Sequence, residues 1–311
     1  MDVLVQLPLS EEQRARLEAV APGARFEYVK PRTVTREQVE AADAIVGNVP
    51  TEMLAGASGL RLLQLNSAGY EQYAAPGVLP DGCALCCATG AYGQAVSEHL
   101  FAMVLSLVKR LPAYQDRQRA HDWCDLGPVT TLRGARVLVL GAGDIGTHLA
   151  DLFAAMGSSV CGVRSREAAP HHPFDDMGTL SDLPRLLPQA DVVCSVLPST
   201  PQTAGIADQV FFDAMRNGAY FANAGRGDLV DQRALVEALA SGHLSGAALD
   251  VCTPEPLPAE SPLWDAPNLL LTPHVSGQFH LAVTLDNIVG IAAENLAHLA
   301  AGEALRNHVN A

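Results

Sequence analysis

Short apolar runs alternate with amphipathic stretches along the first part of the chain. The apolar runs predict five strands, at residues 3–6, 25–29, 44–47, 60–65 and 84–87. The stretches between them predict helices at 10–20, 35–42 and 51–57, the first two opened by the capping residues Ser10 and Thr35. Alternation of this kind predicts a parallel sheet that is covered by helices on both faces.

The same alternation returns from residue 136 onwards. It predicts six further strands at 136–140, 160–163, 192–197, 219–222, 247–251 and 269–271, with helices at 144–156, 180–187, 211–215 and 232–241. Two long helices are predicted on either side of this region, one at 97–119 with a bend at Pro112 and one at 283–300. The second of them returns the chain to the first region.

The turn after the strand 136–140 is rich in glycine and reads Gly141-Ala142-Gly143-Asp144-Ile145-Gly146. In such a turn the first glycine permits a tight bend, the second lets the backbone approach a pyrophosphate, and the third lets helix pack on strand. The helix N-terminus then offers N–H groups to the anion. A glycine turn without a ligand is the alternative, but the strand before it and the helix after it favour dinucleotide binding.

These patterns predict an α/β protein with two doubly wound parallel-sheet domains. A Rossmann dinucleotide-binding domain, residues 99–280, is expected to be inserted in a flavodoxin-like substrate domain made of residues 1–98 and 281–311. Functional loops are then expected at the carboxyl ends of the strands.

The charge of the chain restricts its partners. With 34 acidic and 20 basic residues, the net charge is −14. That balance argues against nucleic acid or an anionic membrane as a partner, and no apolar run approaches the length of a membrane span. The N-terminal residues lack the basic and apolar segments of a secretory signal, so we expect a cytoplasmic protein.

The chain contains seven cysteines, an odd number, and most lie in apolar strand patterns. This usage is typical of reduced core thiols. A metal or redox pair at Cys83, Cys86 and Cys87 is the alternative, but no second group of ligands follows, and we expect no metal site.

Three polar residues follow the ends of strands in the second region: Arg226, Glu255 and His274. Taken one at a time, they could be a surface arginine, a loop glutamate and a capping histidine. Because parallel strands end at the same edge of a sheet, their shared placement behind a dinucleotide turn favours a catalytic group instead.

With these residues the chain resembles the D-isomer-specific 2-hydroxyacid dehydrogenases over nearly its whole length. The resemblance rests on the glycine turn and on four further motifs: Leu197-Pro198-Ser199-Thr200-Pro201-Gln202-Thr203, Asn223-Ala224-Gly225-Arg226-Gly227, Asp250 followed by Glu255-Pro256, and Pro273-His274. It implies NAD(P)-linked interconversion of a 2-keto acid and a D-2-hydroxy acid.

The resemblance also implies roles for individual residues. Arg226 would bind the substrate carboxylate and polarise the keto oxygen, His274 would protonate that oxygen, and Glu255 would favour the imidazolium form of His274. Ala68 and Gly69 would hold the carboxylate through their backbone amides. The substrate-binding residues are therefore expected to be Ala68, Gly69, Arg226 and His274.

The cofactor is expected to contact the glycine turn and several loops beyond it. The residues implied are Gly141, Gly143, Asp144, Ile145, Gly146, Leu197, Pro198, Thr203, Ala224, Asp250 and Ser276. Of these, Asp250 would contact the nicotinamide amide. The second strand of this region ends in Arg164, Ser165 and Arg166, where NAD-preferring enzymes have an acidic residue. This favours NADP(H), with two exposed arginines beside an NAD(H) site as the alternative.

Resemblance further implies a homodimer with the predicted helix 97–119 at its interface. A different class of function, a dinucleotide-sensing scaffold of the same fold such as a corepressor, is the alternative to an enzyme. The identity of the 2-keto acid stays open between glyoxylate, hydroxypyruvate, phenylpyruvate and branched acids.

Overall fold

The structure is a computed structural model that describes residues 1–30 and 33–309. It divides into two compact units, one made of Met1–Tyr92 and Phe279–Ala311 and the other of Gly93–Gln278. The sequence predicts boundaries at 98/99 and 280/281, whereas the two units divide at 92/93 and 278/279. The first differs because the helix that opens the second unit begins earlier than its apolar pattern predicts, at Gly93.

The first unit contains a five-stranded parallel sheet in the order β2-β1-β3-β4-β5. Its strands are β1 (Asp2–Val5), β2 (Arg25–Tyr28), β3 (Ala44–Val46), β4 (Leu62–Gln64) and β5 (Ala84–Cys86). This is the strand order of flavodoxin-like folds, as the alternation of elements predicts.

The helices of the first unit are α1 (Glu11–Val20), α2 (Arg36–Glu40) and the C-terminal helix (Ala282–Ala301), together with a 3-10 helix at Thr51–Gly56. The predicted caps are confirmed for α1 and α2. Ser10 accepts a hydrogen bond from the backbone N–H of Gln13, and the Gln13 side chain accepts one from the Ser10 N–H. Thr35 and Gln38 repeat this arrangement at α2.

The second unit contains a seven-stranded parallel sheet in the order β12-β11-β10-β9-β6-β7-β8. Its strands are β6 (Arg136–Leu140), β7 (Ser159–Arg164), β8 (Asp176–Thr179), β9 (Val192–Ser195), β10 (Ala219–Asn223), β11 (Leu244–Leu249) and β12 (Leu269–Leu271). Six of these seven strands are predicted by the sequence. The edge strand β8 is missed because Met177 is its only large apolar residue.

The helices of the second unit are α3 (Gly93–Val108), α4 (Leu111–Arg119), α5 (Asp144–Ala155), α6 (Leu183–Leu186), α7 (Gln209–Ala214) and α8 (Gln232–Ala240). The prediction of one helix over 97–119 is wrong. Arg110 adopts a left-handed conformation with φ of 55° and separates α3 from α4. Pro112 then lies in the first turn of α4, where its missing N–H leaves no hydrogen bond unmade.

The predicted helix 180–187 is also interrupted. Two 3-10 turns, Leu180–Asp182 and Leu187–Gln189, flank the short α6, because Pro184 and Pro188 cannot donate to a helical ladder. Further 3-10 turns lie at Gly227–Leu229 and Pro262–Asp265. No helix within residues 1–30 and 33–309 is both long and apolar enough to cross a bilayer.

All seven cysteines are free thiols. Burial raises the pKa of Cys83 to about 11 and that of Cys86 to about 12, so both are protonated at neutral pH. In the part of the chain that the structure describes, no group of three His, Cys, Asp or Glu side chains could hold a metal ion.

The glycine turn joins β6 to α5 by close backbone contact. Gly141 has a φ of 103°, a value that glycine adopts readily and other residues rarely do. A Cβ atom on Gly146 would lie 2.0 Å from the Gly141 carbonyl oxygen, whereas one on Gly143 would have no atom of the described residues within 4 Å. Gly146 is therefore required by the fold, and Gly143 is not.

Alanine substitutions at these two glycines form a matched pair. Gly146→Ala is expected to lower the free energy of unfolding by about 1–3 kcal/mol or more, because α5 must move away from β6. Gly143→Ala is expected to change it by less than about 1 kcal/mol, since the backbone there is extended and the space is open. Urea unfolding of both variants measures this difference, and equal losses would contradict it.

Candidate active site

Three loops at the carboxyl edge of the second unit's sheet approach one another through their backbones. A Cβ atom on Gly225, after β10, would lie 2.4 Å from the carbonyl oxygen of Leu197, after β9. One on Gly227 would lie 2.1 Å from the carbonyl oxygen of Cys252, after β11. The glycines at these two positions let the three loops pack without intervening side chains.

Arg226 lies between these two glycines and is half-buried. Its Nη1 donates a hydrogen bond to the Gly225 carbonyl oxygen at 2.9 Å. The fully buried side chain of Asn223 donates to the Arg226 carbonyl oxygen at 2.8 Å and accepts from the Gly225 N–H at 3.0 Å. The bracing role of Asn223 was not predicted, because an asparagine at a strand end has many other uses.

His274 and Glu255 form the expected pair, with Nδ1 of the histidine 2.8 Å from Oε2 of the glutamate. The other carboxylate oxygen accepts a hydrogen bond from the Cys252 N–H at 3.0 Å. Because a carboxylate can only accept, Nδ1 carries a proton. Nε2 has no hydrogen-bond partner among the described residues, and 53% of the His274 side chain is exposed, so this nitrogen can act on a ligand.

The backbone of His274 is held in a left-handed conformation with φ of 51°. Such a conformation costs a non-glycine residue about 1–3 kcal/mol and persists only where its surroundings enforce it. The His274 N–H donates to the Asp250 carbonyl oxygen at 2.8 Å, and the Gln278 amide donates to the His274 carbonyl oxygen at 3.1 Å.

The carboxylate of Asp250, only 1% exposed, accepts four hydrogen bonds from the loop that carries His274. The donors are the Thr272 hydroxyl at 2.6 Å, the Val275 N–H at 3.0 Å, the Ser276 N–H at 3.1 Å, and the Ser276 hydroxyl. Burial by itself raises the pKa of Asp250, but these hydrogen bonds outweigh it and hold the pKa below the ordinary value. Asp250 is therefore a buried anion that organises the loop.

Asp250 and Ser276, both expected to contact the cofactor, thus have partners inside the protein. Four hydrogen bonds fill the acceptor capacity of a carboxylate. His99, on α3, reaches the same group: its Nε2 lies 3.0 Å from the Thr272 hydroxyl and 3.7 Å from Oδ1 of Asp250. The sequence does not predict this role, because His99 is one of several polar residues of α3, next to Ser97 and Glu98.

The expected cofactor residues of the glycine turn fit a pyrophosphate group. Gly143 is the N-cap of α5 and has no side chain. The backbone N–H groups of the first turn of α5 are therefore not hydrogen-bonded to a capping side chain. Open space lies on the side where a Cβ atom of Gly143 would be. Asp144 and Ile145 begin the helix, and the Asp144 carboxylate lies 3.6 Å from His148.

The remaining expected cofactor residues differ in exposure. Thr203 is buried and donates to the Pro198 carbonyl oxygen at 2.7 Å, so it braces the loop after β9, where Leu197 is also buried. The Ala224 N–H continues the sheet by donating to Ser195 at 3.0 Å. The exposed residues at the end of β7 are Arg164, Ser165 and Arg166. In the described part of the chain neither guanidinium has a partner.

The expected carboxylate-binding residues Ala68 and Gly69 lie in the first unit, in the loop after β4. Asn48 braces this loop by donating to the Ser67 hydroxyl at 3.0 Å and accepting from the Asn66 N–H at 3.0 Å. Within residues 1–30 and 33–309, the N–H groups of Ala68 and Gly69 have no hydrogen-bond partner. The loop therefore presents two backbone donors that an anion could take.

Comparison with known proteins gives a consistent result. Residues 101–276 match the model of the D-isomer specific 2-hydroxyacid dehydrogenase NAD binding domain. The chain is 32% identical over 303 residues to glyoxylate/hydroxypyruvate reductase A of Enterobacter sp. (strain 638), covering 94% of this chain and 93% of that one.

Two solved structures extend the comparison. A D-isomer specific 2-hydroxyacid dehydrogenase family protein from Aeromonas salmonicida has a TM-score of 0.87 at 31% identity, with 99% of this chain and 98% of that one covered. The NADPH-dependent glyoxylate/hydroxypyruvate reductase from Sinorhizobium meliloti, solved with NADP and sulfate, has a TM-score of 0.82 at 26% identity over 99% and 98%.

The matched residues lie in the second unit. Its Rossmann strand order, its glycine turn and the loops at the carboxyl edge of its sheet agree with a dinucleotide-binding domain. A nicotinamide dinucleotide is therefore the cofactor class of this protein. The chain belongs to the D-isomer-specific 2-hydroxyacid dehydrogenase family.

Proposed function

We propose that this protein reduces a small 2-keto acid, glyoxylate or hydroxypyruvate, and that a chiral product has the D configuration. The observation that carries the proposal is the His274–Glu255 pair, whose contact of 2.8 Å leaves Nε2 of the histidine available to a ligand. Similarity to glyoxylate/hydroxypyruvate reductases supports the substrate size.

In this proposal His274 is the general acid of reduction. When bound, the nicotinamide supplies a hydride to the keto carbon. Nε2 of the charged His274 gives its proton to the keto oxygen, which becomes the hydroxyl of the product, and the neutral ring then regains a proton from water. The negative charge of Glu255 stabilises the charged ring before transfer and fixes its orientation. Oxidation of the hydroxy acid runs through the same atoms in reverse.

Arg226 and the loop of the first unit are proposed to bind the substrate carboxylate. A guanidinium fork matches a carboxylate in two parallel hydrogen bonds and also polarises a neighbouring keto oxygen. The N–H groups of Ala68 and Gly69 are proposed to act as further donors to the carboxylate. Asp250 is proposed to act on the reaction through the backbone of the His274 loop.

Cofactor preference is proposed to depend on the end of β7. Arg164 and Arg166 are exposed there, and no acidic residue occupies the position that binds the ribose hydroxyls in NAD-preferring enzymes. Two guanidinium groups with a serine between them suit a 2′-phosphate. We therefore propose NADP(H) as the preferred cofactor, which the NADP complex of the Sinorhizobium meliloti relative supports.

The function is tested by oxidation of NADPH in the presence of a panel of 2-keto acids. Glyoxylate and hydroxypyruvate are expected to be reduced, with D-glycerate formed from hydroxypyruvate. Glu255→Gln is expected to lower kcat/KM for reduction, because the charged ring loses its stabilising partner.

His274→Ala is the control for this assay and is expected to bind NADPH while losing most reductase activity. A wild-type protein that binds NADPH but reduces none of the acids would contradict the proposal and favour a dinucleotide-sensing scaffold. Equal kcat/KM values for the wild type and Glu255→Gln would show that Glu255 does not act through His274.

Arg164→Ala tests the cofactor preference. It is expected to weaken NADPH binding about tenfold or more and to leave NADH binding within about twofold, since only NADPH carries the additional phosphate. Arg233→Ala, at an exposed arginine of α8, is the matched control. Titration with each cofactor measures the difference, and a wild-type kcat/KM that is higher with NADH would contradict the preference.

We propose that the protein forms a homodimer through the surface around α4. This nine-residue helix has no buried residue, although helices of its length are marginal in water without packing. Leu111, Val129 and the fully exposed Trp123 add apolar surface nearby, which a second copy could cover. Sedimentation velocity at micromolar concentration is expected to give a dimer that Trp123→Glu weakens, and a stable wild-type monomer would contradict this.

A further inference from the structure

The segment that follows the C-terminal helix lies along the edge of the first unit's sheet. His308 forms an antiparallel bridge with Cys86 of β5, and the Val309 N–H donates to the Leu85 carbonyl oxygen at 2.8 Å. The Cys87 N–H donates to the Asn307 carbonyl oxygen at 3.2 Å. Residues 306–309, which we call the edge segment, therefore continue the sheet beyond β5.

The side chain of Asn307 adds two contacts that sheet pairing does not require. Its Nδ2 donates to the carbonyl oxygens of Cys87 at 3.2 Å and Thr89 at 2.7 Å. Asn307 has a φ of 54°, a conformation that asparagine tolerates better than most residues. The amide group thus clamps the backbone of residues 87–89 from one side.

The loop that contains Ala68 and Gly69 is hydrogen-bonded to the same segment at Ala88. The Ala88 N–H donates to the Ser67 carbonyl oxygen at 2.8 Å, and the Ser67 hydroxyl donates to the Gly69 carbonyl oxygen at 2.6 Å. A continuous path of hydrogen bonds therefore runs from Asn307 through residues 87–89 to the loop containing Ala68 and Gly69.

The start of the edge segment is fixed by a second asparagine. Asn295, on the C-terminal helix and fully buried, donates to the Arg306 carbonyl oxygen at 3.0 Å and accepts from the Arg306 N–H at 2.7 Å. The same amide donates to Oε1 of Gln64 at 2.6 Å, and Gln64 ends β4 just before the loop. The edge segment is thus tied to the strands on both sides of the loop.

We propose that Asn307 is a positioning residue for the substrate carboxylate. By fixing the backbone of residues 87–89, it sets the position of Ser67 and with it the direction of the Ala68 and Gly69 N–H groups. The inference rests on the proposed function, since it takes those two groups as the donors to the carboxylate. A misplacement of donors by a fraction of an ångström is enough to weaken binding of an oriented substrate.

The test compares Asn307→Gly with Asn307→Asp. Glycine keeps the left-handed backbone accessible and removes the amide, whereas aspartate keeps the shape and places a negative charge against two carbonyl oxygens. Asn268→Gly is the matched control, because Asn268 in the second unit also has a φ of 54° and lies outside this path. NADPH affinity, keto-acid kinetics and urea unfolding are measured for all four proteins, the wild type included.

Asn307→Gly is expected to raise KM for the keto acid about tenfold, because it removes the two hydrogen bonds from the Asn307 amide to residues 87 and 89. Its kcat and NADPH affinity are expected to stay within about twofold of wild type. Asn307→Asp is expected to raise KM further, and Asn268→Gly is expected to leave it unchanged. A loss of stability without a change in KM would show that Asn307 is structural only and would overturn the inference.

Amide hydrogen exchange of residues 66–70 provides a measurement that does not depend on activity. Exchange there is expected to be faster in Asn307→Gly than in wild type and unchanged in Asn268→Gly. Unchanged exchange in Asn307→Gly would overturn the inference whatever the activity. A wild-type protein without keto-acid reductase activity would instead refute the proposed function, so the two failures are distinguishable.

Discussion

The buried carboxylate of Asp250 is the interaction on which the geometry of the site depends. An anion with 1% exposure is costly unless its oxygens are fully hydrogen-bonded, and here the donors all come from the loop after β12. The loop cannot relax without leaving that charge unsatisfied. This explains how His274 keeps a left-handed backbone and why its ring lies within reach of Glu255.

Glycines in the neighbouring loops allow close backbone contacts that fix these loops against one another. Gly227 lies against the carbonyl group of Cys252, and the N–H of Cys252 donates to Glu255. One residue therefore joins the loop of Arg226 to the partner of His274. Because the contacts are between backbones, the relative placement of the two loops within this unit depends little on side-chain rotamers.

The sequence predicts those parts of the structure that depend on local patterns. Strands with continuous apolar runs, the caps of α1 and α2 and the glycine turn follow from neighbouring residues. The break at Arg110 and the polar strand β8 do not, since a left-handed arginine and one apolar side chain leave no periodic signal. The pairing of His274 with Glu255 was expected from their strand-end positions and from family resemblance.

The roles of the bracing residues Asn223 and Asn307 cannot be predicted from the sequence, for a different reason. Asn223 and Asn307 act through hydrogen bonds to backbone groups, and those groups carry no residue-type signature. The donors to Asp250 lie more than twenty residues away along the chain and become neighbours only when β11 and β12 pair. Such roles follow from tertiary contacts and not from spacing.

The edges of the seven-stranded sheet have a consequence for how the protein avoids aggregation. A sheet edge is a template for pairing with strands of other molecules unless it is short, charged or deprived of donors. One edge here is β8, four residues long with Asp176 at its start. The other is β12, three residues long and flanked by Pro267 and Pro273, neither of which has an N–H to offer. Both edges are thus poor sites for growth of an intermolecular sheet.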